Sequence, residues 1–356
     1  MLRVLFCALK NEYGKPEAGM SFECKHFLHT LLHMPNIEVR HFGFDEIMRE
    51  HGRDRMNEML IEAVGAWQPD VLFCFLFTEE IKKETIRHIT QHTKTKTFNW
   101  FGDDHWRFYV YSQFWAKEFT LVSTTDGKAY REYHKAGIQN VLKTQWAVNH
   151  FLYKPQDSAL NKGTYDITFY GQKYGNRPDY IEALVKAGLP AQGIGRGWGN
   201  TSGADVQEML NIYSFSKINL NFTETPYFGF KKKLNLLAKL FVKKELGKYS
   251  LNLNFPILNL KSIIGTQRRT IKARTFEVPA CGGFLLTGPS DDPLDEYLKP
   301  GKEVVVFNTM DDMVAKAKYY LNHASERQAI AKAGYERTLA EHTYEKRFKE
   351  IFENLA

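Results

Sequence analysis

The sequence of 356 residues runs through the same alternation of strand-like and helix-like segments twice, and that constrains its fold more than any other feature. RVLFCAL, IEVRHFGF, PDVLFCFLF, KTFNWF, FTLVSTT and IQNVLKTQW read as strands. SFECKHFLHTLLHM, DRMNEMLIEAVGAW, EEIKKETIRHITQ and GKAYREYHKAG lie between them with apolar residues at helical spacing. Asp126 stands where the last of these helices needs an N-cap. Strands that alternate with helices imply a parallel, doubly wound sheet. The polar stretch FLYKPQDSALNKG, with Pro155 and Gly163, then interrupts the pattern and reads as a linker. YDITFYG, DYIEALVKAG, PAQGIG and SKINLNF restart it, EVVVF continues it, and helices follow from Met310. A chain of this length suits two domains.

Within the second half, Ile271–Thr287 reads IKARTFEVPACGGFLLT. A short helix with Lys272 and Arg274 at its start and Glu277 one turn in leads through a Gly-Gly pair into a strand. A helix N-terminus and two cations suit a diphosphate, and one carboxylate further on can accept hydrogen bonds from ribose hydroxyls. The plainer alternative is a buried αβ unit whose charges cap the helix. Gly171, Gln172, Lys173 and Arg177 follow the first strand of the same half, where an arginine can hold phosphate bidentately.

Two loops of the first half carry further chemistry. Gly102, Asp103, Asp104, His105 and Trp106 follow a strand. Two carboxylates and an imidazole suit general-base work, since adjacent like charges can raise a carboxyl pKa toward neutrality. Helix capping by aspartate and a divalent-metal site are the competing readings. Lys10, Asn11, Glu12, Tyr13 and Gly14 follow the first strand as a glycine-containing loop.

KNEYGKPEAGMSFE, FNWFGDDHWRFYVYS, LVSTTD, YDITFYGQKYGNRPDYIEAL, the Ile271–Thr287 segment and GFLLTGPSDDPLDEYLKPGKEVVVF together resemble GT-B glycosyltransferases of the spore-maturation CgeB-like family. The resemblance covers nearly the full length except residues 227–266. It implies two Rossmann-like domains with a cleft between them: an acceptor-side domain over 1–152 and a nucleotide-sugar domain over 163–340. A final helix over 341–356 would return to the first domain. The implied activity is hexosyltransferase-type transfer of a sugar from a nucleotide-diphosphate-sugar to an acceptor that is a glycan, lipid-linked or protein. Gly171, Arg177, Lys272, Arg274, Thr275 and Glu277 would then bind the donor. Glu12, Tyr13, Gly14, Asp103 and Trp106 would lie on the acceptor side, with Asp104 or His105 as base. GT-B enzymes need no metal as a rule, and no cofactor beyond the donor is expected. Glu277 matches the second glutamate of the E-x7-E pattern of many retaining members, but the first position holds Arg269. That departure leaves the stereochemistry open. It also favours an alternative, a non-catalytic sugar- or nucleotide-binding component of a surface or spore layer.

The formal net charge of +7 is concentrated between residues 231 and 248, where seven lysines face one glutamate. The apolar positions there repeat as in an amphipathic helix, so the segment reads as an accessory docking element. Another subunit is the first choice of partner, an anionic membrane surface the second and nucleic acid the third. Cys7, Cys24, Cys74 and Cys281 lack C-x-x-C spacing, so a reduced cytoplasmic protein is expected, peripheral to the inner membrane face if the basic segment meets lipid. LRVLFCAL is short for a signal segment and reads as the first strand. His26, His29 and His33 share one helix face, a weak zinc signal without a following base.

Overall fold

The computed structural model describes residues 1–76, 78–157, 165–199, 206–224, 242–245, 248–251 and 268–356. They form two units: residues 1–152 with 343–356, and residues 153–342.

The first unit is built on a six-stranded sheet. Its strands are β1 (Leu2–Ala8), β2 (Ile37–Gly43), β3 (Val71–Phe75), β4 (Lys96–Phe101), β5 (Leu121–Thr124) and β6 (Val141–Lys143), in the order β2-β1-β3-β4-β5-β6. Every pairing is parallel. Strand β1 shows why the central strands are apolar throughout. Leu5 and Cys7 enter the core on one face, Val4, Phe6 and Ala8 the core on the other. Burial on both faces removes the polar alternation that a half-exposed strand would keep. Asp126 caps the helix Gly127–Lys135, its carboxylate accepting from the Ala129 amide at 2.7 Å.

The chain comes back to this unit for its last helix, Tyr344–Leu355. Thr343 caps it, and Tyr344, Phe348, Ile351 and Leu355 turn a single stripe into the core. Phe348 lies 5.2 Å from Phe27 and 5.3 Å from Phe73, ring centre to ring centre. Burying four such side chains contributes on the order of 2 kcal/mol each, so this helix is part of the first unit's core.

The second unit carries a five-stranded parallel sheet: β7 (Tyr165–Tyr170), β8 (Ala191–Ile194), β9 (Ser216–Asn221), β12 (Leu285–Thr287) and β13 (Val305–Val306), in the order β13-β12-β9-β7-β8. The helix Arg274–Ala280 feeds β12 through Gly282 and Gly283. Gly283 has no substitute there: a Cβ would stand 2.3 Å from the Tyr213 carbonyl oxygen.

The helix expected across residues 231–248 is corrected in part. Val242–Glu245 (β10) and Lys248–Leu251 (β11) pair antiparallel, with Val242 opposite Leu251 and Glu245 opposite Lys248. The rest of that segment, and residues 158–163 of the expected linker, lie outside the described residues. Among the described residues no helix is long and apolar enough to cross a membrane.

Candidate functional site

In open parallel sheets ligands meet the loops that leave the carboxyl ends of the strands. In the second unit those loops carry two arginines around one ring. Strand β7 ends at Tyr170 and turns at Gly171, whose φ of +153° suits glycine. A Cβ on Gly171 would stand 2.7 Å from Nη2 of Arg274, so the glycine makes room for that guanidinium. Arg274 lies 4.7 Å from the centre of the Phe169 ring. Its Nη1 donates to Asn221 Oδ1 at 3.2 Å and its Nε to the Tyr213 hydroxyl at 3.3 Å. Arg177 begins the helix Arg177–Lys186 and lies 5.0 Å from the same ring. It donates to the Gln172 carbonyl at 2.8 Å and to the Tyr174 hydroxyl at 2.7 Å.

Among the described residues, neither guanidinium is in an ion pair. Arg177 is 7% exposed. Burial, and then repulsion from Arg274, push its pKa down to about 10. Two like charges gathered in a partly desolvated place are costly unless an anion joins them. Planar forks that can each hold two oxygens suit a phosphate or diphosphate.

The other donor-side residues fall into different roles. Glu277, 7% exposed, lies one turn along the helix that Arg274 begins. Burial raises its pKa to about 7, against the pull of Arg274 and a hydrogen bond from Tyr153. Thr275 is buried, and its hydroxyl accepts from the Asn221 amide at 3.3 Å. Asn221 thereby ties this helix to β9 while its carbonyl holds Arg274. Lys272 precedes the helix, which begins at Arg274, and its Nζ donates to Thr270 Oγ1 at 2.5 Å. The Thr275 and Phe276 amides are spent on the Lys272 and Ala273 carbonyls, both at 2.9 Å. Those two amides are therefore not open to a ligand. Arg269, at the first position of the E-x7-E spacing, pairs with Asp291 at 3.2 Å.

In the first unit, Asp104 is 3% exposed and turned inward, accepting from the Tyr133 hydroxyl at 3.0 Å. Burial raises its pKa to about 7; Ser112, Thr124 and Tyr133 pull it down and Asp126 pushes it up. His105 is partly exposed, Asp103 is exposed and Trp106 is 47% exposed. The Gly102 position is fixed by Trp146, whose ring a Cβ would meet at 2.5 Å.

The loop with Glu12, Tyr13 and Gly14 is held by residues that the sequence did not mark. Asp45 accepts from the Lys10 and Asn11 amides at 2.7 and 3.1 Å and from Asn11 Nδ2 at 2.9 Å. Arg49 of the same helix reaches the Gly14 carbonyl at 3.0 Å. Tyr13 takes φ of 52° and stands exposed at the tip. Glu12 accepts from the Phe22 amide at 3.0 Å. Glu12 and Asp103 both push up the pKa of Glu23, which burial first of all carries to about 7. Glu23 thus marks where the two loops converge. Its only sequence signal was its place in KNEYGKPEAGMSFE. Of the three helix-face histidines, His26 is buried against Phe22, and His29 stacks on His33.

Two parallel Rossmann-like sheets, the second with an arginine pair at its carboxyl edge, place the chain in the GT-B class. Structural neighbours bear this out for the fold. Sucrose-phosphate synthase of Thermosynechococcus elongatus aligns with TM-score 0.60 at 10% identity, covering 100% of this chain and 99% of that one. A glycosyltransferase of Rickettsia africae gives 0.58 at 10% identity, covering 99% and 98%. HepE of Anabaena, in complex with UDP-glucose, gives 0.55 at 11% identity, covering 100% and 99%. Residues 177–353 match the family described as glycosyl transferase-like. The spore protein CgeB of Bacillus subtilis is 22% identical over 239 residues, a match covering 63% of this chain and 64% of that protein. The chain has the GT-B fold, and its second half is similar to the glycosyl transferase-like family.

Proposed function

We propose that the protein transfers a hexosyl group from a nucleotide-diphosphate-sugar to an acceptor held by the first unit. One observation carries the reading: Arg177 and Arg274 crowd the same Phe169 ring, and among the described residues neither is in a salt bridge. The leaving diphosphate gains negative charge as the glycosidic bond breaks, so the pair stabilises the transition state more than the bound donor. Arg274 contacts one phosphate and Arg177 the other, while Glu277 beside Arg274 accepts hydrogen bonds from the ribose. HepE, crystallised with UDP-glucose, makes a uridine donor the first to try.

On the acceptor side, Tyr13, Trp106 and Asp103 offer an exposed aromatic and carboxylate surface of the kind that binds sugar rings and hydroxyls. His105, more exposed than Asp104, is the stronger candidate for the base, with Asp104 holding the start of its helix against Tyr133. A second reading, binding without turnover, draws on Arg269, which stands at the first position of the E-x7-E spacing and is engaged by Asp291.

Release of nucleoside diphosphate from UDP-, GDP-, ADP- and dTDP-sugars, assayed with and without oligosaccharide acceptors, decides between the two. Release from at least one donor supports transfer. Nucleotide affinity without release from any donor supports the binding reading and overturns the enzymatic one.

A further inference from the structure

A second polar cluster stands at the same edge of the second unit, one step from the arginine pair. Glu224 follows β9 by three residues and is partly exposed. Asn176 Nδ2 donates to one of its carboxylate oxygens, and the Tyr180 hydroxyl to the other at 3.2 Å. Tyr180 is itself fixed, its ring stacked on Phe222 at 4.7 Å.

The cluster is bound to the arginine pair through the chain on both sides. Asn176 immediately precedes Arg177. Asn221, which accepts from Arg274, lies three residues before Glu224. Among the described residues the carboxylate is held by hydrogen bonds and not by a salt bridge. Arg269 is bridged to Glu224 through the backbone, yet its guanidinium goes to Asp291. Among the described residues no cation pairs with Glu224.

An ionised carboxylate only accepts hydrogen bonds and offers about four lone-pair directions. Two are used by Asn176 and Tyr180, and those two donors fix its orientation. A ligand meeting the remainder must bring donors without bringing negative charge, and neighbouring hydroxyls of a sugar do so.

We infer that Glu224 is a specificity residue that accepts hydrogen bonds from sugar hydroxyls of a molecule whose diphosphate lies on Arg177 and Arg274. The inference rests on the diphosphate reading of that pair. The hydroxyls belong either to the ribose or to the transferred sugar, and one set of titrations distinguishes them. Folded wild type and Glu224→Gln are titrated calorimetrically with pyrophosphate, with UDP and with UDP-glucose, or with the corresponding pair for a base that binds more tightly. Pyrophosphate affinity is expected to stay the same, because it reports on the arginines alone. A loss on the order of tenfold for UDP-glucose only assigns the contact to the transferred sugar. An equal loss for UDP and UDP-glucose assigns it to the ribose. Tyr180→Phe, which keeps the carboxylate and removes one of its holders, is expected to show the same pattern with a smaller loss.

Unchanged affinity of Glu224→Gln for both nucleotides overturns the inference and leaves the diphosphate site standing. Failure of the wild type to bind pyrophosphate and every nucleotide overturns both.

Discussion

Asp104 shows how burial turns a residue type into a different chemical object. On the sequence it is one of two adjacent carboxylates; in the fold it is enclosed against Tyr133 and holds its proton to about pH 7. An unfolded chain loses that proton near pH 4, roughly. The folded state therefore binds more protons between these values, and stability falls as pH rises from about 4 to about 7, then levels off. Asparagine does not titrate. The melting temperature of Asp104→Asn minus that of the wild type should climb across that window and flatten above it. Glu23 and Glu277 are raised in the same direction but are common to both proteins, so they cancel in the difference. A difference that does not change with pH would show that Asp104 is ionised in the fold. Residue types and spacing made Arg274, Arg177 and Glu277 legible as candidates. They could not reveal that Thr275 turns inward to Asn221, or that Asp45, distant in sequence, fixes the Lys10–Gly14 loop. Those facts depend on which strands become neighbours.

At the level of elements, the strands of both sheets were legible because buried parallel strands are apolar on both faces, and β1 is the clear case. The basic segment was not, because its lysines and leucines fit a helical period while β10 and β11 pair as strands. Periodicity alone does not separate the two in a short segment rich in both. The seat of the helix Arg274–Ala280 escaped the sequence for another reason. Gly334, in the helix Ala324–Glu341, lies close to Pro279, and a Cβ at Gly334 would stand 2.4 Å from the Glu303 carbonyl oxygen. Alanine in a helix interior ordinarily gains about 1 kcal/mol over glycine. Here overpacking costs about 1–3 kcal/mol. Gly334→Ala should therefore lower the melting temperature, because the Glu303 backbone has to move. A rise in melting temperature on thermal denaturation would mean that the Glu303 backbone gives way freely.

For the molecule as a whole, the division of labour follows from the chain's path. The first unit closes its core with the last helix, Tyr344–Leu355, and the second sets Arg177 and Arg274 at one sheet edge. The central claim is that this edge is a diphosphate site made by Arg177 and Arg274. Isothermal titration of folded wild type, Arg177→Ala and Arg274→Ala with the best-bound nucleoside diphosphate tests it most directly. Each substitution should weaken binding by roughly 1.5–3 kcal/mol, the value of a charged hydrogen bond. The wild-type affinity should fall as salt screens the pair. Folded variants that bind as tightly as the wild type would contradict the account.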